Sequence, residues 1–184
     1  MDATQRRLLE QVRSQTTAAH RRLEERLDVV ARLAEPASRS DLIRRYAALH
    51  VPADDALAPE LGAVADLSFA ERSRAPWLAR FLEETAPDFP RPANRAEGLG
   101  LFYVLEGSTL GGRIILRDLS SRGVTDPDLA FLDPYGDDTG SRWRSFLSVF
   151  AREVGDGQGS IADACRGAVR GFSHAERVLC GDAA

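Results

Sequence analysis

Apolar residues in the first thirty positions recur at spacings of three, four or seven: Leu8, Val12, Ala19, Leu23, Leu27 and Val30. That periodicity predicts one long helix with a single buried face. "PASRSD" breaks the pattern, and Ser38 followed by Asp41 resembles an acidic capping box ahead of a second helix, "LIRRYAALH", which Pro52 and Pro59 kink or split. A third helix is expected over about 66–85. "APDFPRPANR" holds Pro87, Pro90 and Pro92 and reads as a connection. The stretch from Ala96 to Ser121 then reads as one long helix, and "RGVTDPDLAFLDPYGDDTG" as a long loop hiding a short turn. Closing helices are expected over about 140–154 and 160–179. No period-two alternation and no internal repeat is found. The expectation is an all-α fold of six or seven helices, with residues 1–184 as one domain.

Inside the long central helix, "YVLEGSTLGGRII" places Gly107, Gly111 and Gly112 within six positions. Each costs a helix interior up to about 1 kcal/mol relative to alanine, so the three together cost roughly 2 to 3 kcal/mol. Gly107 and Gly111 share a face with Gly112 beside it, leaving a strip of main chain with no side chains over it. Such a strip admits something flat, or another helix in close packing, and it can bend.

The composition narrows the partners. A net charge of -4 with both signs intermixed gives no basic stripe for nucleic acid. No apolar run is long enough to suggest a membrane span and no apolar signal segment opens the chain, so the cytoplasm is the expected compartment. Cys165 and Cys180 lack metal-ligand spacing and read as free thiols.

There are three histidines, at 20, 50 and 174. The residues three before them are Thr17, Ala47 and Gly171, which excludes the Glu-x-x-His pairs of a carboxylate-bridged di-iron bundle. No His-Glu-x-x-His, no Gly-x-Ser-x-Gly and no phosphate-cradling glycine loop is present. Helical projection puts His20 between Leu23 and Leu27, near the middle of the apolar face. Glu24, one turn on, is placed to accept its Nδ1 proton, leaving Nε2 to bind a metal. Arg13, two turns back, is placed to meet an acid at the edge of a flat cofactor. On this helix alone, a hydrogen-bonded core-edge histidine is the simpler reading. Together with the bare glycine strip, His20 suggests a planar metal macrocycle held between two helices. His50 and His174 read as partly exposed, and Trp77 and Trp143 as core anchors.

Three segments, "TTAAHRRLEERLDV" (16–29), "YVLEGSTLGGRIILRDL" (103–119) and "DPYGDDTGSRWRSF" (133–146), resemble the heme oxygenases, particularly bacterial enzymes that supply biliverdin to phytochromes. The similarity runs in order over nearly the whole chain. It implies a multihelical bundle in which His20 is the proximal iron ligand and Glu24 its orienting neighbour. It places Gly107, Ser108, Gly111 and Gly112 on a kinked distal helix over the oxygen-binding face. Arg13 and Arg144 are implied as contacts of the heme propionates, and Phe172 as part of the pocket wall. Many members carry an aspartate where this chain has Ser108. Ser108, Thr109 and an arginine from elsewhere are left to hold the distal water.

The resemblance further implies oxidative cleavage of heme to biliverdin, with release of carbon monoxide and ferrous iron. Heme is then both cofactor and substrate, alongside molecular oxygen. No flavin or nicotinamide signature is visible, so electrons are expected from a ferredoxin or reductase, and a bacteriophytochrome is a candidate recipient of the product. The alternative is a non-catalytic heme carrier or sensor with the same fold. The related thiamin-salvage and quinone-cofactor enzymes require polar cysteine, glutamate and tyrosine or histidine clusters that are not evident here. A helical interaction protein would leave His20 and the glycines as packing.

Overall fold

The computed structural model describes residues 3–181 and is helical, with no strand among the described residues. The first helix, α1 (Ala3–Leu27), ends at Asp28, whose left-handed backbone (φ 41°) starts the short α2 (Val29–Ala34). Pro36 opens α3 (Pro36–Leu61), because a first-turn position needs no N–H donor. That helix runs unbroken through Pro52 and Pro59. The expected Ser38–Asp41 cap does not form: Ser38 Oγ donates to the Arg32 and Glu35 carbonyls, and Asp41 pairs with Arg32, Arg44 and Arg45.

The helix expected over 66–85 is also absent. Left-handed residues at Asp66 and Ser68 interrupt the backbone, and the segment forms 3-10 turns at Phe69–Arg72 and Ala79–Phe81 around a single turn, α4 (Ala75–Leu78). The capping box lies instead at the start of α5 (Arg95–Ser121). The Asn94 side chain accepts from Glu97 N (3.0 Å), and Glu97 reaches back to Ala93 N (2.8 Å). The loop after α5 contains 3-10 turns at Pro127–Leu132 and Gly136–Asp138 and leads into α6 (Thr139–Val154) and α7 (Gln158–Cys180).

At the centre, α5 crosses α7 with main chain against main chain. A Cβ on Gly100 would stand 2.0 Å from the Ala164 carbonyl oxygen, and one on Gly167 would stand 2.1 Å from that of Glu97. Small-residue packing thus exists in α5, but one to two turns before the glycine strip. Phe69, Phe102, Phe146 and Phe150 fill the space beside this crossing in tilted, edge-on or stacked contacts, with Tyr103 and Trp143 half-buried at its margin. By length and composition α5 is long and apolar enough to cross a membrane, contrary to the sequence expectation. Its apolar character matches its position, because the segment 97–102 is buried on every side.

Two glycines of α7 report this packing with opposite signs. Gly167→Ala is expected to lower stability by about 1 to 3 kcal/mol, because the clash is with backbone. Gly159→Ala, where an added Cβ meets nothing, should raise it by up to about 1 kcal/mol. Urea denaturation of the two variants checks both.

Candidate functional site

Both α1 and α5 lie against α7 and α6, and among the described residues they make no extended contact with each other. His20 lies on α1. The core face of α1 runs through Leu8, Val12, Thr16 and Leu27, which leaves the His20 side chain on the flank and 55% exposed, not in the middle of the buried face. Its Nδ1 lies 3.3 Å from Glu24 Oε2, leaving Nε2 as the nitrogen for a metal. Phe172 of α7 meets the imidazole edge-on, with ring centroids 5.5 Å apart.

The opposite flank of α1 is clamped to α7. Arg22 forms a bidentate pair with Glu176 (2.7 to 2.9 Å), and Arg26 adds a contact of 2.6 Å. Phe172 and Glu176 are one turn apart on α7, so the His20 contact and the clamp together fix the rotation of α1 about its own axis. Hydrogen bonds from Arg22 and then Arg26 hold the Glu176 carboxyl down to about 2.

On α5 the three glycines divide. A Cβ on Gly112 would stand 2.1 Å from the Leu132 carbonyl oxygen, so that glycine serves close packing against the Pro127–Leu132 turn and is not on the bare strip. Gly107 backs onto the Trp143 ring, 3.5 Å from where its Cβ would be. Beside Gly111 there is open space. Leu110 and Ile114, at helical spacing around these two glycines, are 38% and 70% exposed. These side chains and the bare main chain form an apolar face unlike the polar surface of the other helices. Trp143 and Trp77 are half-buried and pack against the core, and Trp143 also walls this face.

A buried polar group lies behind α5. His50 is only 5% exposed, and His174 is also buried, correcting the expectation that both are partly open. His50 stacks on Tyr46, and its Nε2 accepts from Arg74 (3.1 Å). Burial, followed by the Arg74 charge, holds it well below the ordinary histidine range and hence neutral. Arg74 also donates to the Leu105 carbonyl (3.1 Å) and to Ser108 Oγ (2.9 Å). Next to this group, Arg72 pairs with Glu106, whose other oxygen accepts from Tyr135 (3.0 Å). Thr109 is buried and donates to the Glu106 carbonyl, so it does not reach the open face. His174 packs edge-on against Phe89, with Nδ1 accepting from Arg177.

Arg13 and Arg144 are exposed on α1 and α6, and neither has a carboxylate partner among the described residues. The structure brings neither into contact with His20 or the glycines. No group of three His, Cys, Asp or Glu side chains that could hold a metal occurs among the described residues, so His20 is the candidate ligand by itself. Arg74, His50, Glu106, Trp143, Leu110 and Ile114 were not singled out as site residues from sequence. A carboxylate inside "FYVLEGST" was the one available signal.

An all-α fold with an exposed histidine on α1 and a glycine-bared apolar face on α5 defines a helical bundle protein. A heme oxygenase from Xanthomonas campestris pv. campestris (strain 8004) is 30% identical over 152 residues, covering 78% of this chain and 90% of that protein. The chain belongs to the heme oxygenase family, and its fold is the all-α bundle of that family. No family model matches it.

Because Glu176 is depressed in the folded state, its contribution to stability is fully present above the ordinary glutamate value of 4.5 and is lost as pH falls through about 2. Glu176→Gln should therefore reduce stability at neutral pH and flatten its pH dependence between those values, as followed by circular dichroism across an acid titration. Glu106→Ala should cost about 3 to 5 kcal/mol, because it leaves the Arg72 charge buried without its partner. Urea denaturation measures that loss.

Proposed function

We propose that this chain is a heme oxygenase that cleaves heme to biliverdin, with release of carbon monoxide and ferrous iron. The observation that carries the reading is membership of this family, supported by an exposed His20 held by Glu24 and Phe172 on one helix and a bare, apolar Gly107–Gly111 face on another. The residues fit the group: one exposed imidazole whose Nε2 is turned away from the Glu24 contact, an apolar face stripped of side chains, and, among the described residues, arginines without carboxylate partners for the two propionates. When bound, heme supplies the iron at which oxygen is activated and the ring that is cut.

His20 binds through Nε2 while Glu24 holds the Nδ1 proton and Phe172 fixes the ring plane. As a nitrogen ligand, His20 would supply less electron push to the iron than a thiolate would. Gly107 and Gly111 would let main chain approach one face of the ring, and Leu110 and Ile114 would cover its apolar surface and exclude water. Arg13 and Arg144 orient the carboxylates. Electrons come from a ferredoxin or reductase. Residues 1–184 act as one domain in the cytoplasm, and a bacteriophytochrome is the proposed recipient of biliverdin.

The energetics favour this use of the strip. Gly112 is required for packing, so the unexplained cost falls on Gly107 and Gly111 and is about 2 kcal/mol. A micromolar dissociation constant corresponds to about 8 kcal/mol, which offsets it.

Hemin titration tests the reading. The wild type should develop a Soret band that His20→Ala loses or shifts, and reductant in air should then produce the biliverdin spectrum. Binding without product would favour a heme carrier or sensor. Gly111→Ala should separate stability from function: the protein without heme gains up to about 1 kcal/mol, while hemin affinity or turnover falls. Unchanged binding and turnover in that variant would contradict the assignment of the strip.

A further inference from the structure

Ser108 stands where many family members carry an aspartate, and its hydrogen bonds determine what it can offer in place of one. A hydroxyl has one hydrogen and two lone pairs. The hydrogen of Ser108 is donated to the Leu105 carbonyl (2.6 Å), and one lone pair accepts from Arg74 (2.9 Å). One lone pair remains. Ser108 is exposed whereas Arg74 is buried, so the free lone pair belongs to the open side of α5.

Arg74 is fixed from three directions. Its guanidinium donates to His50 Nε2, to the Leu105 carbonyl and to Ser108 Oγ, and it has no lone pair with which to accept. The neighbouring arginine is not free for this role, because Arg72 is engaged with Glu106 and with the Leu67 carbonyl (2.7 Å). Neutral His50 is the acceptor that keeps the fork aimed. A guanidinium stays charged, so no proton passes through it from His50 to Ser108.

We propose that Arg74 is a positioning residue that locks the Ser108 hydroxyl as an acceptor-only group, so that Ser108 acts on a distal water as a carboxylate would. This rests on the heme reading above. A water bonded to Ser108 must donate one hydrogen to it, and its other hydrogen is then free to donate to a ligand on the iron. Without Arg74 the bond to the Leu105 carbonyl is the one remaining restraint, and the hydroxyl can turn from it to compete as a donor to the same water.

Fluoride, which accepts hydrogen bonds but cannot donate them, is the probe. Its affinity for the ferric hemin complex is measured spectrophotometrically in wild type, Ser108→Ala, Arg74→Met and the double variant. Ser108→Ala should weaken fluoride binding about threefold to tenfold, the size of one hydrogen bond. Arg74→Met should weaken it similarly in wild type and less than twofold in the Ser108→Ala background, because it acts through the hydroxyl. Where Arg74→Met does not fold, Arg74→Lys serves: one ammonium cannot span His50, Leu105 and Ser108, and the same non-additivity is expected. No effect of Ser108→Ala, or equal effects of the Arg74 variant in both backgrounds, overturns this inference while the Soret band leaves the heme reading standing. Absence of a Soret band in wild type overturns both.

Discussion

The close crossing of α5 on α7 is the constraint on which the rest depends. With no side chain at Gly100 and Gly167, the two backbones approach until an added Cβ would lie about 2 Å from a carbonyl oxygen. Helices that touch this closely leave little width between them for a third. α1 packs instead on α7 and α6, with no extended contact to α5 among the described residues.

Charge then ties the helices around this crossing to one another. The chain contains no lysine, so every basic contact is made by a planar guanidinium. Three buried carboxylates use that geometry: Glu176 takes Arg22 and Arg26, Glu97 takes Arg166 and Arg170, and Glu106 takes Arg72. Two of these tie α7 to a neighbouring helix, and the third anchors the underside of α5 immediately before Gly107. His20 itself is held by an exposed glutamate and one aromatic edge, so its aim depends on the rigidity of the helix that carries it.

Much of this was legible in the sequence, and the failures have physical causes. The long helices declare themselves by apolar spacing, and His20, Glu24 and the glycine strip are local patterns that any helix displays in the same register. Whether a glycine faces a ligand or a neighbouring backbone is decided by packing, so Gly107, Gly111 and Gly112 look alike until the Pro127–Leu132 turn is seen against Gly112. The segment 66–85 imitates a helix because Leu67, Phe69, Trp77, Leu78 and Phe81 recur at suitable intervals, yet its left-handed residues and Pro76 break it into turns. Arg74 arises from that irregular stretch and meets Ser108 across 34 residues, a contact without any local signal. His50 is hidden for the same reason: Tyr46, one turn back, stacks on it, but Arg74, which closes the other side, is 24 residues away.

The most direct measurement is a crystal structure of the protein with hemin bound. The account predicts iron coordinated by His20 Nε2, with the opposite face of the ring against the main chain of Gly107 to Gly111. Iron held by His50, His174 or a cysteine, or a ring seated away from that stretch of α5, would contradict it.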